Sequence, residues 1–264
     1  MSIDVAVNER TWNSPEVVAT YTARRYITPA EVRVLGTCWS KIAGGKVLDI
    51  GIGTGRTVPF LAPFAASYSG IDYMPNMVAA ARRQHPNRDL RQADARELPF
   101  ADGEFSFVLF SFNGIDYVDP DHRPRILGEA HRVLARGGLF VYSTHNLAAR
   151  GGDARSRFAA SLPQLHVSRP ARAAAAVVRG LAANVRAYRN FRKLEHQQRV
   201  GSDVAFILDG AHEYSLFTCY VTQAYERRAL ATAGFTVRDV IEPDGRLAGD
   251  SSSARDLYFV NERA

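Results

Sequence analysis

Between Lys46 and Thr144, apolar runs of strand length alternate with segments of helical period. Lys46–Ile50 reads as a strand and 57–66 as a helix. Tyr68–Asp72 is a strand, Pro75–Gln84 a helix and 90–93 a short strand. A further strand at 104–111 precedes a helix from about Asp121 to Leu134. Gly137 and Gly138 then stop that helix, and 139–144 is the fifth strand. Continuously apolar strands separated by helices predict a parallel sheet covered on both faces. Ahead of it two helices are marked by caps. Ser14-Pro15-Glu16 opens one, and Thr28-Pro29-Ala30-Glu31, with the spacing of a capping box, opens another that runs to about Ile42. After it the rhythm breaks, then resumes with a helix at 223–233 and strands at 235–241 and 256–261. The loop joining those strands has no helical pattern, which predicts an antiparallel pair. The expected fold is α/β: a Rossmann-like three-layer sandwich with a seven-stranded, mostly parallel sheet. Its parts are an N-terminal helical cover (1–45), the core (46–149), a helical insertion after the fifth strand (150–211), and the C-terminal part of the sheet (212–264).

The insertion changes the picture of charge. The chain of 264 residues carries +6 overall. Residues 150–200 hold ten Arg and one Lys against Asp153 and Glu195, a local +9, so the remainder is near −3. Arg172, Arg179, Arg186 and Lys193 recur every seven residues. Val178, Leu181, Val185 and Tyr188 are expected on the opposite side of the same helix, packed on the core. Composition is that of an ordinary globular protein, 46% hydrophobic and 23% charged. The first residues lack the basic and apolar regions of a signal peptide, and no apolar run is long enough to span a bilayer. Cys38 and Cys219 are the only cysteines, without metal-like spacing, so no metal is expected and a reducing cytoplasm fits.

The sharpest local signal is Val47-Leu-Asp-Ile-Gly-Ile-Gly-Thr-Gly55. A plain strand-to-helix turn needs one glycine; three in alternation at the carboxyl end of a parallel strand permit a ligand to lie against main chain. The G-x-G-x-G spacing differs from the G-x-G-x-x-G of dinucleotide folds, and no P-loop lysine follows. An acid, Asp72, ends the second strand seventeen residues beyond Gly55.

Here the chain resembles the class I S-adenosylmethionine-dependent methyltransferases, whose first motif is an apolar strand followed by D/E-x-G-x-G-x-G. Further similarities follow at Gln92-Ala-Asp94-Ala95, Leu98-Pro99-Phe100, Phe105–Phe110, Gly137-Gly138 and Gly234-Phe235. The resemblance implies S-adenosylmethionine as cofactor. Asp49, Gly51, Gly53 and Gly55 would face its methionyl and ribose parts, with Asp72 on the ribose hydroxyls. Met74 would pack on adenine, whose amino group would bond Asp94 beside the Ala95 N–H; Ser111 and Tyr21 complete the cofactor set. Tyr26, like Tyr21, is a candidate to stand near the methionine carboxylate, with Arg25 as the candidate anion partner, and Trp12 is a candidate to close over the site.

The activity implied is methyl transfer to a small-molecule acceptor, with nitrogen, oxygen and carbon nucleophiles all open. His145, after the fifth strand, is the candidate general base because its ordinary pKa lies near neutrality. Asn113 and Asp116 after the fourth strand, with Tyr26, His212 and Tyr214, are candidate acceptor contacts. The basic insertion has three readings: a lid, a gate whose arginines bind an anionic acceptor, or a surface element for anionic lipid or RNA. Little aromatic interleaving and no N-P-P-Y tetrad argue against nucleic acid. A non-catalytic cofactor-binding protein is the remaining alternative. Monomer and homodimer are both open.

Overall fold

A computed structural model of the chain describes residues 6–151, 154–160 and 170–264. The helices are α1 (Ala6–Trp12), α2 (Pro15–Thr22), α3 (Pro29–Thr37), α4 (Trp39–Ile42), α5 (Val58–Leu61), α6 (Pro75–Gln84), α7 (Arg123–Val133), α8 (Pro170–Leu194) and α9 (Gln223–Thr232). The strands are β1 (Lys46–Ile50), β2 (Ser67–Asp72), β3 (Asp89–Gln92), β4 (Phe105–Phe110), β5 (Leu134–Asn146), β6 (Arg199–Val200), β7 (Val204–Asp209), β8 (Leu216–Val221), β9 (Phe235–Ile241) and β10 (Asp256–Arg263).

The caps act as their residues dictate. Ser14 accepts from the Val17 N–H, and Thr28 and Glu31 form the reciprocal capping box. The cover nevertheless holds more helices than expected: α1 precedes the first cap, and the second helix breaks at Cys38 into α3 and α4. The helix expected over 57–66 is the single turn α5. β5 begins at Leu134, directly after α7, and Gly137 and Gly138 lie within that strand rather than ending the helix.

The parallel run is β3-β2-β1-β4-β5, and β10 pairs antiparallel with both β5 and β9. These are the seven expected strands, with the antiparallel pair in place. Among the described residues the sheet itself has ten. The additional three, β6, β7 and β8, form an antiparallel ribbon. Residues 150–211 are therefore not helical throughout. The run Val204–Asp209 is apolar and of strand length, a signal that the helical reading of the insertion concealed; Leu216–Val221 is another, in the part assigned to the sheet but given no strand there.

The ribbon's attachment follows from edge counting. β10 occupies one edge of β5 along residues 139–145. β4 takes the other, ending with Phe110 opposite Tyr142. β8 pairs with His145 and Asn146, and so continues the edge that β4 leaves. The ribbon rises past the carboxyl end of β4, where a parallel sheet binds its ligands.

Alternate side chains feed the two faces of the sheet. Leu48, Ile50, Val108, Phe110, Phe140 and Tyr142 pack with Ile126, Leu127 and Ala130 of α7 and Leu230 of α9. Val47, Phe107, Leu109, Leu139 and Val141 pack with Val34 of α3, Val58 of α5 and Ala81 of α6.

One buried cluster ties the first of these faces together. Arg123, at the start of α7, pairs with Asp116 at 2.8 Å and with Glu226 of α9 at 2.9 Å, and all three are buried. Glu226 also accepts from the Tyr142 hydroxyl. Arg123→Met would strand two carboxylates away from water. It is expected to lower stability by about 3–5 kcal/mol, read as a reduced urea midpoint with an unchanged slope.

Candidate active site

β1 ends at Ile50, and the next residues must turn sharply at the sheet edge. Gly51, Gly53 and Gly55 have φ of 65°, 56° and 92°, a region that side-chain-bearing residues avoid. Their surroundings differ. A Cβ on Gly51 would lie 2.6 Å from the Phe110 ring, and one on Gly55 2.6 Å from His85. A Cβ on Gly53 would meet nothing within 4 Å. Two glycines thus allow close packing beneath the loop, while Gly53 keeps main chain bare toward open space.

That space is a cavity of about 190 Å³. The Gly53 N–H donates to Asp72 Oδ2 at 2.8 Å, and the Met74 N–H donates to Asp72 Oδ1 at 2.8 Å. Burial pushes the Asp72 pKa up, against the pull of these N–H groups. Each carboxylate oxygen retains a further lone pair for a hydroxyl donor. Gly51, Gly53, Asp72, Met74, Asp94, Ala95, Ser111 and Tyr21 all line the cavity, as do Trp12, Phe112 and Tyr117.

Some candidates stand elsewhere. Asp49 is buried on the opposite side of β1, accepting from Thr57 Oγ1 at 2.5 Å and from the Tyr68 hydroxyl at 2.9 Å. It braces the loop from below. Gly55 lies against His85 rather than on the cavity wall. Asp94 reaches the wall, but Arg96 chelates its carboxylate at 2.6 and 2.9 Å. Those bonds outweigh burial and hold Asp94 below the usual carboxylate range. Tyr26 and Arg25 are exposed and outside the wall. His212 sits against Trp12 at 5.7 Å between ring centroids, one layer behind the cavity. Tyr214 packs on Phe191 and accepts from the Ala159 N–H, well away from it.

His145, Asn113 and Asp116 form a group of their own behind Tyr117. Asp116 is fully buried. It accepts from Arg123 and Thr144 on Oδ1, and from the main-chain N–H and Nδ1 of His145 on Oδ2, all at 2.7–2.8 Å. The proton of His145 is therefore fixed on Nδ1. Its Nε2 accepts from Asn113 Nδ2 at 3.2 Å. Burial lowers the His145 pKa, but Asp116, together with Asp256 and Asp209, more than offsets it, and the net shift is upward. Asn113 Oδ1 is buried without a donor among the described residues. The Tyr117 ring lies 6.3 Å from that of His145 and lines the cavity, so it separates the two.

Sequence reasoning missed a clamp between cover and loop. Arg56, directly after the glycines, donates to both carboxylate oxygens of Glu31 at 2.6 and 2.8 Å, to Tyr26 O and to Ser111 Oγ. Arg56 and Arg24 both stack on Phe112, at 4.7 and 5.2 Å. The cation that reaches the site from the cover is thus Arg24, beside the expected Arg25. Glu31 was legible only as a capping residue; its second partner lies 25 residues away.

Residues 47–138 match a family model described as a methyltransferase domain. A phosphatidylethanolamine N-methyltransferase of Cereibacter sphaeroides is 36% identical over 114 residues, 41% of this chain and 54% of that protein. A demethylmenaquinone methyltransferase of Thermus thermophilus is 39% identical over 102 residues, 36% of this chain and 45% of the relative. The chain thus spans about half the length of the curated relatives it matches. Among solved structures, a 1,6-didemethyltoxoflavin-N1-methyltransferase of Burkholderia thailandensis, bound to 1,6-didemethyltoxoflavin and S-adenosylhomocysteine, is similar with a TM-score of 0.58. The similarity covers 98% of this chain and 88% of that one at 14% identity, a likeness of fold.

Asp49 supplies a test of the loop's brace. Burial pushes its pKa from 3.8 up to about 6. A carboxyl raised on folding binds more protons in the native state, so its contribution is fully present below the unfolded pKa and is lost as pH rises through the folded one. Between pH 4 and pH 7 the wild type should lose stability relative to Asp49→Asn. Urea midpoints of the two proteins across that window check the trend.

Proposed function

We propose that the protein is a class I S-adenosylmethionine-dependent methyltransferase, supported by the match of residues 47–138 to a methyltransferase domain, and that it transfers a methyl group to a small-molecule acceptor with a largely apolar body. The observation that carries this is the bare main chain at Gly53, hydrogen-bonded to Asp72 beside an aromatic-walled cavity. When bound, the cofactor supplies a methyl group on a positively charged sulfur, a leaving group that needs no acid.

The chain's own residues then have separable tasks. Asp72 would take the ribose hydroxyls, and the main chain at Gly51 and Gly53 would lie along the methionyl part. Arg24, stacked on Phe112, leaves positive charge for its carboxylate, while the charge of Arg56 is matched by Glu31. Met74 and Ala95 would flank adenine. Trp12, Tyr21, Phe112 and Tyr117 give faces that favour a cation and exclude water.

Acceptor contact falls to the group behind Tyr117. Asn113 Oδ1 and His145 Nε2 are two acceptor atoms on neighbouring side chains, and one of them lacks a donor. An acceptor hydroxyl or amine that displaces the Tyr117 ring would donate to them, and His145 Nε2 would hold its proton. Asp116 keeps that nitrogen basic. The names of the relatives, which act on a phospholipid and on a quinone precursor, accord with an acceptor of apolar body.

Calorimetry with S-adenosylhomocysteine tests the cofactor half. Saturable binding is expected, weakened about 10- to 100-fold by Asp72→Asn, the loss of hydrogen bonds to a charged group, and at least about tenfold by Gly53→Val. Absence of binding to a folded wild type would sink the proposal.

His145→Gln should leave that affinity intact. With an acceptor in hand it should lower turnover about 10²–10⁴-fold and abolish the rise of activity with pH above 6.5. An unchanged pH profile would remove the base role from His145.

A further inference from the structure

The long helix α8 does not bury the face that its sequence pattern suggests. Ala187, Phe191 and Leu194 pack on Phe206, Leu208, Tyr214 and Phe217. Val178, Leu181, Val185 and Tyr188, expected to face the core, are 66%, 62%, 51% and 50% exposed. At about 100° per residue these four occupy an arc of roughly 80°. Arg179, Arg186, Arg189 and Lys193, all exposed, fill the neighbouring arc. The exposed side of α8 is therefore divided lengthwise into an apolar stripe, closed at its C-terminal end by Arg192, and a basic rail.

Charge sets the occupant. Arg186 pairs with Glu213 and Arg192 with Glu195. Arg179, Arg189 and Lys193 have no carboxylate partner among the described residues. A second copy of the chain laid on the stripe would set one basic rail against another. RNA would engage the rail but leave the aliphatic stripe in water, with Tyr188 alone to stack. The headgroup layer of an anionic bilayer satisfies both: acyl-chain boundary for the stripe, phosphate for the rail.

α8 also communicates with the cavity wall. Arg186 and Asn190 both hold Glu213, and Phe191 packs on Tyr214 at 5.3 Å. His212, Glu213 and Tyr214 have φ of 50°, 56° and 56°, three consecutive left-handed residues held by these contacts. His212 in turn packs on Trp12 of the cavity.

We propose that the exposed face of α8 between Val178 and Lys193 docks the protein on an anionic lipid surface and holds the cavity at that surface. The docking stands on α8 alone. Its use, delivery of a lipid-soluble acceptor, rests on the methyl-transfer reading above.

Flotation with vesicles of phosphatidylcholine and phosphatidylglycerol in equal parts, against phosphatidylcholine alone, tests it on the full chain. The wild type should float with the anionic vesicles at least tenfold more tightly than with the neutral ones, and the difference should shrink with salt. Leu181→Glu combined with Val185→Glu should lose binding at least tenfold. Arg179→Gln, Arg189→Gln and Lys193→Gln together should abolish the preference for anionic vesicles. Tyr188→Trp should shift its emission to the blue on those vesicles.

Circular dichroism confirms that each variant is folded, and calorimetry with S-adenosylhomocysteine separates the two proposals. Failure to float with intact cofactor binding overturns the docking alone, and floating without cofactor binding strikes the methyl-transfer reading. Equal binding by the Leu181→Glu, Val185→Glu protein would overturn the docking. So would a stripe-dependent dimer in sedimentation velocity without vesicle binding, or tRNA binding through the same rail in its place.

Discussion

Asp116 has no exposed surface, and four donors satisfy its two oxygens. A carboxyl group at such depth must have its lone pairs matched, so those donors are not free to move independently. They come from the start of α7 and from the end of β5. Arg123 needs Glu226 as well, which recruits α9. The carboxyl edge of the sheet is thereby locked at the turn following β4. In that turn Phe112 and Asn113 adopt left-handed φ of 58° and 61°, a conformation that costs about 1–3 kcal/mol per residue. The network around Asp116 maintains it, and Phe112 is presented to the cavity as a result.

A second lock acts one strand away. Asp49 holds Thr57 and Tyr68 under the glycine loop, and Asp72 holds the loop from its open side through Gly53. Arg56 then joins the loop to the cover through Glu31. The pair is almost wholly removed from water, so loss of either partner would leave a charge unmatched. Cover and loop are therefore one mechanical unit, and the aromatic rings of the cover, Trp12 and Tyr21, stand over the cavity because of it.

The ribbon β6–β8 extends this edge rather than adding a separate lobe. Its pairing to His145 and Asn146 sets β8 beside the residues that Asp116 orients. Asn8 of α1 closes the arrangement, donating to Tyr117 O and Phe217 O and accepting from the Phe217 N–H. No helix among the described residues is long and apolar enough to cross a membrane. What α8 offers outward is a surface, not a span.

Much of the fold was legible in the sequence because its causes are local. Strand runs, helical period, the Ser14 and Thr28 caps and the glycine spacing each act within a few residues, and β9, β10 and α6 stand where the pattern puts them. Gly53 and Asp72 were legible for the same reason: one needs only its own φ, the other only its station at a strand end. Tertiary structure decided what depends on partners distant in the chain. Glu31 finds Arg56, Asp94 is taken by Arg96, and His145 is given to Asp116 behind Tyr117. The apolar stripe of α8 was plain in the sequence, but periodicity fixes only the angle between two faces of a helix. Which face the protein buries is set by the neighbour it meets, and the ribbon that meets α8 took the side of Phe191 and Leu194.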